Sequence, residues 1–281
     1  MNADSPSAAA LRSHEGRRTF TPGLVLSLFP GAGLMDAGFA HANFCVVRGP
    51  DLLLGTHIET FTPPPGAFEG VIAGPPCQDF SRARRRPPTG HGLEMLRQFA
   101  RCVTAARPQW FLLENVPGVP DIAIPPYTIQ RFNLLASEFG VAQRRNRAIQ
   151  FGSLDGVPLT IPRSTESHSA DLQPAALAHD PRADWRELAR LQGLPPDFDL
   201  PGLSRTAKIR AIGNGFPVPV AYALAIAITR RHALEASRRC ACGCGKIIAG
   251  PPHHRAASAS CRKRLERQRR DTATHYLLDN T

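Results

Sequence analysis

The 281-residue chain contains no run of about 18 consecutive apolar residues, the length a membrane-spanning helix needs. Its opening stretch, MNADSPSAAALRSHEGRRTF, holds no apolar core behind its charges, and so reads as a flexible lead-in and not as a secretory signal. No internal repeat is visible. Acidic residues are scarce: 23 Asp and Glu stand against 34 Lys and Arg, giving a net charge of +11 and a pI near 10.1. That imbalance points to a polyanionic partner, most often nucleic acid and less often an anionic membrane. Taken alone, it also fits a soluble protein with a basic tail. The seven cysteines, Cys45, Cys77, Cys102, Cys240, Cys242, Cys244 and Cys261, are odd in number. Without an export signal they indicate a reducing compartment, and free thiols or metal ligands in place of a disulfide framework.

What the chain does have is enough apolar residue, 42%, to bury a core, and enough length for one full domain plus a small accessory one. Short apolar runs at residues 24–29, 44–47, 71–73, 110–113 and 148–151 read as strands. Residues 34–41, 94–106, 132–138, 185–191 and 220–232 read as helices, with Leu96, Phe99, Ala100 and Val103 on one face of the second. Strands alternating with helices predict a parallel α/β sheet, in which ligands sit beyond the carboxyl ends of the strands. Residues 154–184 lose the pattern and read as loop. Beyond Arg238 the composition shifts to Cys, Gly, Pro, His and Arg, which places a boundary near residue 236.

The residues able to do chemistry fall just after predicted strands. Phe29-Pro30-Gly31-Ala32-Gly33 is a glycine turn leading into a helix, suited to close backbone approach of a ligand or simply to a tight turn. Gly74-Pro75-Pro76-Cys77-Gln78-Asp79-Phe80-Ser81 presents one cysteine on a proline-stiffened loop. Positive charge close by, such as Arg82 and Arg84–Arg86, would lower its pKa and make it a nucleophile; a buried structural thiol is the plainer reading. Glu114 ends an apolar run before Asn115, where burial would raise its pKa and let it donate a proton, unless it is a surface turn carboxylate. Arg144, Arg145 and Arg147 form either a solvated charge run or a phosphate or base clamp.

Six blocks stand in a fixed order: SLFPGAGLMDAGF, GPPCQDFS, LLENVPG, EFGVAQRRNR, ELARLQGLPPDF and AIGNGFPVPVAYALA. Together, from Leu24 to about Arg230, they resemble the DNA (cytosine-5) methyltransferase family. The resemblance implies a Rossmann-like methyltransferase sheet that binds S-adenosylmethionine, with the last block folded back beside the first. It implies that Phe29, Gly31, Gly33, Asp51, Ile58 and Asn214 border the cofactor. Cys77 would attack C6 of a cytosine flipped out of double-stranded DNA, so that C5 takes the methyl group. Glu114 would contact the N3/N4 edge and protonate N3. Arg145 and Arg147 would position the base and the Cys77 loop, with Asn115 and Gln78 in support. The implied setting is the cytoplasm of a bacterium or phage-infected cell, at the nucleoid. No obligate protein partner and no membrane partner is expected.

The chain departs from the family pattern at three places. His57 stands in Thr56-His57-Ile58 where the family has Asp, and Val47-Arg48-Gly49-Pro50-Asp51 leaves open whether Asp51 binds the ribose. One lost hydrogen bond is worth roughly 1–3 kcal/mol, so it need not abolish activity. Only residues 148–185 remain for reading DNA sequence, which predicts low specificity or help from elsewhere in the chain. Arg48 and His57 also raise the alternative of a modified adenosylmethionine, and His57 that of a catalytically weak DNA-binding protein on the methyltransferase fold; a tRNA substrate is a further alternative.

The C-terminal end carries Cys240, Cys242, Cys244 and Cys261 within 22 residues, resembling small zinc-binding modules; His253 or His254 could replace one cysteine. A disordered basic tail with incidental thiols is the competing reading. If zinc binds, residues 261–270 continue as a basic helix able to lie on phosphates. The domains expected are a flexible stretch 1–22, a methyltransferase domain 23–235 with its reduced recognition region 148–185, and a basic Cys-rich module 236–281. Residues 230–270 hold twelve Lys and Arg against two acidic residues, a balance of +10, while the rest of the chain is nearly neutral at +1.

Overall fold

The computed structural model describes residues 23–163, 173–174, 182–238, 240, 242–244, 246, 248 and 255–278. The expected lead-in 1–22, most of the expected recognition region beyond residue 163, and His253 and His254 lie outside the described residues.

Among the described residues eight strands run β1 (Leu24–Leu28), β2 (Cys45–Arg48), β3 (Gly70–Ala73), β4 (Trp110–Asn115), β5 (Thr128–Leu135), β6 (Gln143–Arg144), β7 (Asn146–Ser153) and β8 (Gln173–Pro174). The α-helices among the described residues are α1 (Leu34–His41), α2 (His91–Ala106), α3 (Trp185–Leu191), α4 (Arg205–Asn214), α5 (Val218–Arg238) and α6 (Ala259–Leu278). Six strands form one sheet in the order β2-β1-β3-β4-β7-β5, and β6 pairs with β8 apart from it.

The sheet is parallel from β2 to β4, as expected, and then turns mixed: β7 runs antiparallel to β4, and β5 antiparallel to β7. The reason is connectivity. Parallel neighbours need a crossover, usually a helix. α1 and α2 lie between the parallel strands, but no α-helix separates β4, β5 and β7. The helix expected over 132–138 is therefore strand β5 through Leu135, followed by a short 3-10 turn at Ala136–Phe139. Apolar residues 132, 135, 136 and 139 mimic a helical spacing. In the structure Leu134 is buried and Leu135 is 45% exposed, the alternation of a strand paired to β7.

Alternation along the central strands divides the core in two. Val25, Ile72, Trp110 and Leu112 face α1 and α5 with Phe39, Ala221 and Leu224. Leu26, Val71, Phe111 and Leu113 face α2 with Phe99 and Val103. A third cluster joins Leu34, Trp185, Leu188, Ile209 and Val218, seating α3 and α4 beside α1. α1 and α5 touch closely at Gly38, where a Cβ would collide with Ala221 and the Val218 carbonyl. The stretch Arg205–Arg231 is long and apolar enough in composition to cross a membrane, but 61% of its apolar window is buried inside the molecule. Residues 148–153 of the expected recognition region belong to β7, so only 154–184 separate the sheet from α3.

Candidate active site

The carboxyl ends of β1, β3 and β4 open onto one cavity of about 650 Å³, inside the usual range for ligand pockets. The turn after β1 builds one wall. Phe29, Gly31 and Gly33 have φ of 54°, 54° and 80°, three left-handed residues in five. Phe29 carries that backbone at a cost of about 1–3 kcal/mol, a strain typical of functional turns. Nothing lies within 4 Å of where a side chain on Gly31 would begin, so a ligand can approach its backbone directly. The Gly31 N–H donates to Asp51 Oδ2 at 2.8 Å, and Asp51 Oδ1 accepts from Leu53 N at 2.7 Å. Asp51 thus binds the glycine turn to the segment after β2 while lining the cavity.

Gly33 does not line the cavity. It starts α1, and the Arg48 guanidinium occupies the space a side chain would need. Arg48 in turn donates from Nε to the buried Asp36 at 2.9 Å, and Ser27 Oγ donates to the same carboxylate at 2.5 Å. Arg48 is therefore turned toward Asp36 and is not a cavity-lining residue, which removes one of the two grounds for an anionic cofactor derivative. His57 does line the cavity, beside Ile58, whose carbonyl, with that of Phe61, accepts from Arg101 Nη2.

The opposite wall holds Cys77, Gln78, Glu114, Asn115 and Arg147. Cys77 is half-buried on the loop after β3. Asn115 donates from Nδ2 to the Pro75 carbonyl at 3.0 Å and accepts from Val116 N at 2.8 Å, joining the cysteine loop to the end of β4. Asp79, two residues past the cysteine, accepts from the backbone N–H of Thr89 and of Gly92, both at 2.9 Å. It fastens the loop to the first turn of α2, and these bonds hold its carboxyl below the usual range. Glu114 is buried and pairs with Arg147, Nε to Oε1 at 2.8 Å. Burial raises the Glu114 pKa against the pull of Arg147 and Arg145. Cys77 is also raised, first by burial and then by the Glu114 charge, with Arg147 and Arg145 opposing. The arginines that act on the thiol are thus Arg145 and Arg147, while Arg82 and Arg84–Arg86 stand exposed on the loop.

Arg145 has a different place from Arg147. It is buried outside the cavity lining and donates to the Gly213 carbonyl at 2.9 Å and the Gly215 carbonyl at 2.8 Å. Gln192 adds bonds to Ile212 and Gly215. Together they brace the turn that carries Asn214, an exposed residue on the cavity rim. Sequence reasoning assigned no role to Asp79, nor to Arg101 or Gln192, whose partners include backbone groups distant in the chain. Nor did it single out Leu52, Leu53, His91 or Arg210, which also line the cavity. Only the acidic residue ahead of the helix start at residue 91 was a signal available for Asp79.

Near residue 240 the Cys240, Cys242, Cys244 and Cys261 sulfurs lie within 4.8 Å of one another. Cys240 N donates to the Lys246 carbonyl at 2.8 Å, closing a tight turn, and Ile248 and Leu265 pack around the cluster. Four soft donors converging from short turns fit a tetrahedral metal such as zinc. The wall built by Phe29, Gly31 and Asp51 likewise fits an adenosyl cofactor, in an apolar cavity with a few placed polar groups.

The family model for C-5 cytosine-specific DNA methylases matches residues 55–122 and 178–230. Type II methyltransferase M.HgiGI of Herpetosiphon aurantiacus is 31% identical over 112 residues, a match covering 33% of this chain and 89% of that protein. The chain belongs to the C-5 cytosine-specific DNA methylase family. A second relative, Type II methyltransferase M.HgiDI of the same organism, is 29% identical over 162 residues, covering 47% of this chain and 52% of its own length. The chain thus spans about half the length of the first curated relatives it matches. Among solved structures, the S. pombe Dnmt2 methyltransferase superposes with a TM-score of 0.52 at 13% identity, covering 74% of this chain and 99% of that one. The Entamoeba histolytica methyltransferase EhMeth gives the same TM-score, 0.52, at 12% identity over 75% of this chain. These structures show the fold. In this C-5 cytosine-specific DNA methylase five of the six sequence blocks line this cavity, with Gly33 and Arg145 standing just behind its walls, while ELARLQGLPPDF acts from behind through Gln192.

Proposed function

We propose that this chain is a DNA cytosine-5 methyltransferase acting on a cytosine extruded from double-stranded DNA. The observation that carries the proposal is the convergence of Cys77, Glu114 and Arg147 with the glycine turn on one cavity. Cys77 adds through Sγ to C6, and the electron pair released moves to C5. Glu114, whose protonated form burial favours, delivers a proton to N3 and relieves the charge of the adduct. Arg147 holds Glu114 in place and favours the thiolate of Cys77. Bound against the turn 29–33 and Asp51, S-adenosylmethionine supplies an electrophilic methyl group. C5 would take that methyl as its bond to the sulfonium sulfur breaks and S-adenosylhomocysteine leaves; loss of the C5 proton to a base then restores the C5–C6 double bond, the Cys77 thiolate departs, and N3 returns its proton to Glu114.

Zinc held by Cys240, Cys242, Cys244 and Cys261 fastens α6 to the turns around residue 240, and the charge of that module attracts the DNA backbone. A protein of this kind acts at the bacterial or phage genome in the cytoplasm. The test is sequencing of 5-methylcytosine in DNA from cells expressing the protein or its Cys77→Ala variant. Methylation by the parent and none by the variant is expected. Methyl transfer that survives in Cys77→Ala overturns the mechanism.

A further inference from the structure

The C-terminal helix α6 touches its module along one narrow stripe. Cys261 and Leu265 pack into the cysteine cluster, while Arg262, Lys263, Arg264, Glu266 and Arg267 are all exposed. At about 100° per residue the anchoring pair marks one side of the helix, and Lys263, Glu266 and Arg267 fall on the opposite side. Arg262 and Arg264 stand about a quarter turn to either flank. A helix lying flat on a phosphate backbone needs cations along one face and has no use for a carboxylate at the centre of it. A helix inserted in the major groove needs another arrangement: groups that read base edges at its outward face, and cations on both flanks, where the two phosphate walls rise. Glu266 sits in the outward face and makes no ion pair with the described side chains of this helix, those of residues 259–268. A carboxylate there accepts from cytosine N4, and an outward arginine or lysine donates to guanine O6 and N7.

We infer that α6 is a recognition helix that enters the major groove of duplex DNA, with Lys263, Glu266 and Arg267 toward base edges and Arg262 and Arg264 toward phosphates. The inference rests on the DNA reading proposed above. It supplies the sequence readout for which the body leaves only residues 154–184. The full-length protein is used to select bound duplexes from a random library, and the salt dependence of affinity is measured alongside. The wild type is expected to enrich a motif. Glu266→Ala and Glu266→Gln lose discrimination at one position of it by roughly tenfold, whereas Arg264→Ala keeps the motif, weakens all sequences alike and lowers the salt slope by about one. Two results overturn the proposal: Glu266→Ala tightens binding to every duplex with the motif unchanged, or the wild type enriches no motif. Selection needs no methyl transfer, so a motif without methylation rejects the enzyme function and leaves α6 standing. Methylation without an α6-dependent motif does the reverse.

Discussion

Cys77 and Glu114 present opposite protonation problems. In the proposed mechanism, addition to C6 needs the thiolate and N3 protonation needs the carboxylic acid, yet burial pushes both pKa values upward. In the productive form the single proton of the pair is on Glu114. Its population is constant between the two pKa values and falls outside them. The rate at limiting substrate is therefore expected to be bell-shaped in pH, falling on the acid side as Cys77 and Glu114 are both protonated and on the alkaline side as both ionise. Glu114→Gln should be slower by about 10²–10⁴-fold. It should also change the profile: with no acid to ionise, and with the charge that raised the thiol removed, its rate climbs with pH until a lowered cysteine pKa. Single-turnover rates across the pH range check this, and an unchanged profile shape would remove Glu114 from the proton inventory. The places of both residues on the cavity were legible because Glu114 closes the apolar run of β4 and Cys77 lies on the proline-stiffened loop after β3. The separate fates of Arg145 and Arg147 were not, since two arginines in one charge run look alike until Gly213 and Gly215 are folded against the first of them.

The elements show where local pattern succeeds. β1, β3, β4, α1 and α3 stand close to where apolar runs and turn residues place them. β5 failed because its apolar residues satisfy both periods, and only pairing to β7 selects the strand. α4, carrying Asn214 at its end, was missed because it is short, polar on most of its surface and buried mainly through Ile209 and Ile212. The seam between α1 and α5 has no slack at Gly38. Gly38→Val is expected to force the helices apart at a cost of about 1–3 kcal/mol. A domain of this size should then melt several degrees lower, since each kcal/mol is worth roughly 2–4 °C. Cofactor affinity should weaken with it, because α1 starts at the glycine turn and α5 follows Asn214. Thermal denaturation and calorimetry with S-adenosylmethionine test both effects, and an unshifted melting curve would show that the seam can relax.

Across the whole molecule, charge and chemistry are held apart. The cavity belongs to a nearly neutral body, and the surplus of +10 lies in residues 230–270. Ending the chain after Arg238 should weaken DNA binding and flatten its dependence on salt, each lost phosphate contact lowering the logarithmic slope by about 0.9. Affinity titrations at several salt concentrations measure this. An unchanged slope would transfer the attraction to the body, where Arg82 and Arg84–Arg86 stand exposed beside the active cavity.

The Arg145 brace ties the two halves of that cavity together. Its backbone sits two residues from the arginine that grips Glu114, and its guanidinium holds the turn that carries Asn214. A ligand that settles against Asn214 and a base that settles against Glu114 would thus press on the two ends of one hydrogen-bonded brace. Whatever factor the first adds to the affinity of the second, the second must return to the first. The order in which DNA and cofactor arrive then becomes a matter of kinetics, with the same ternary complex at the end of either route.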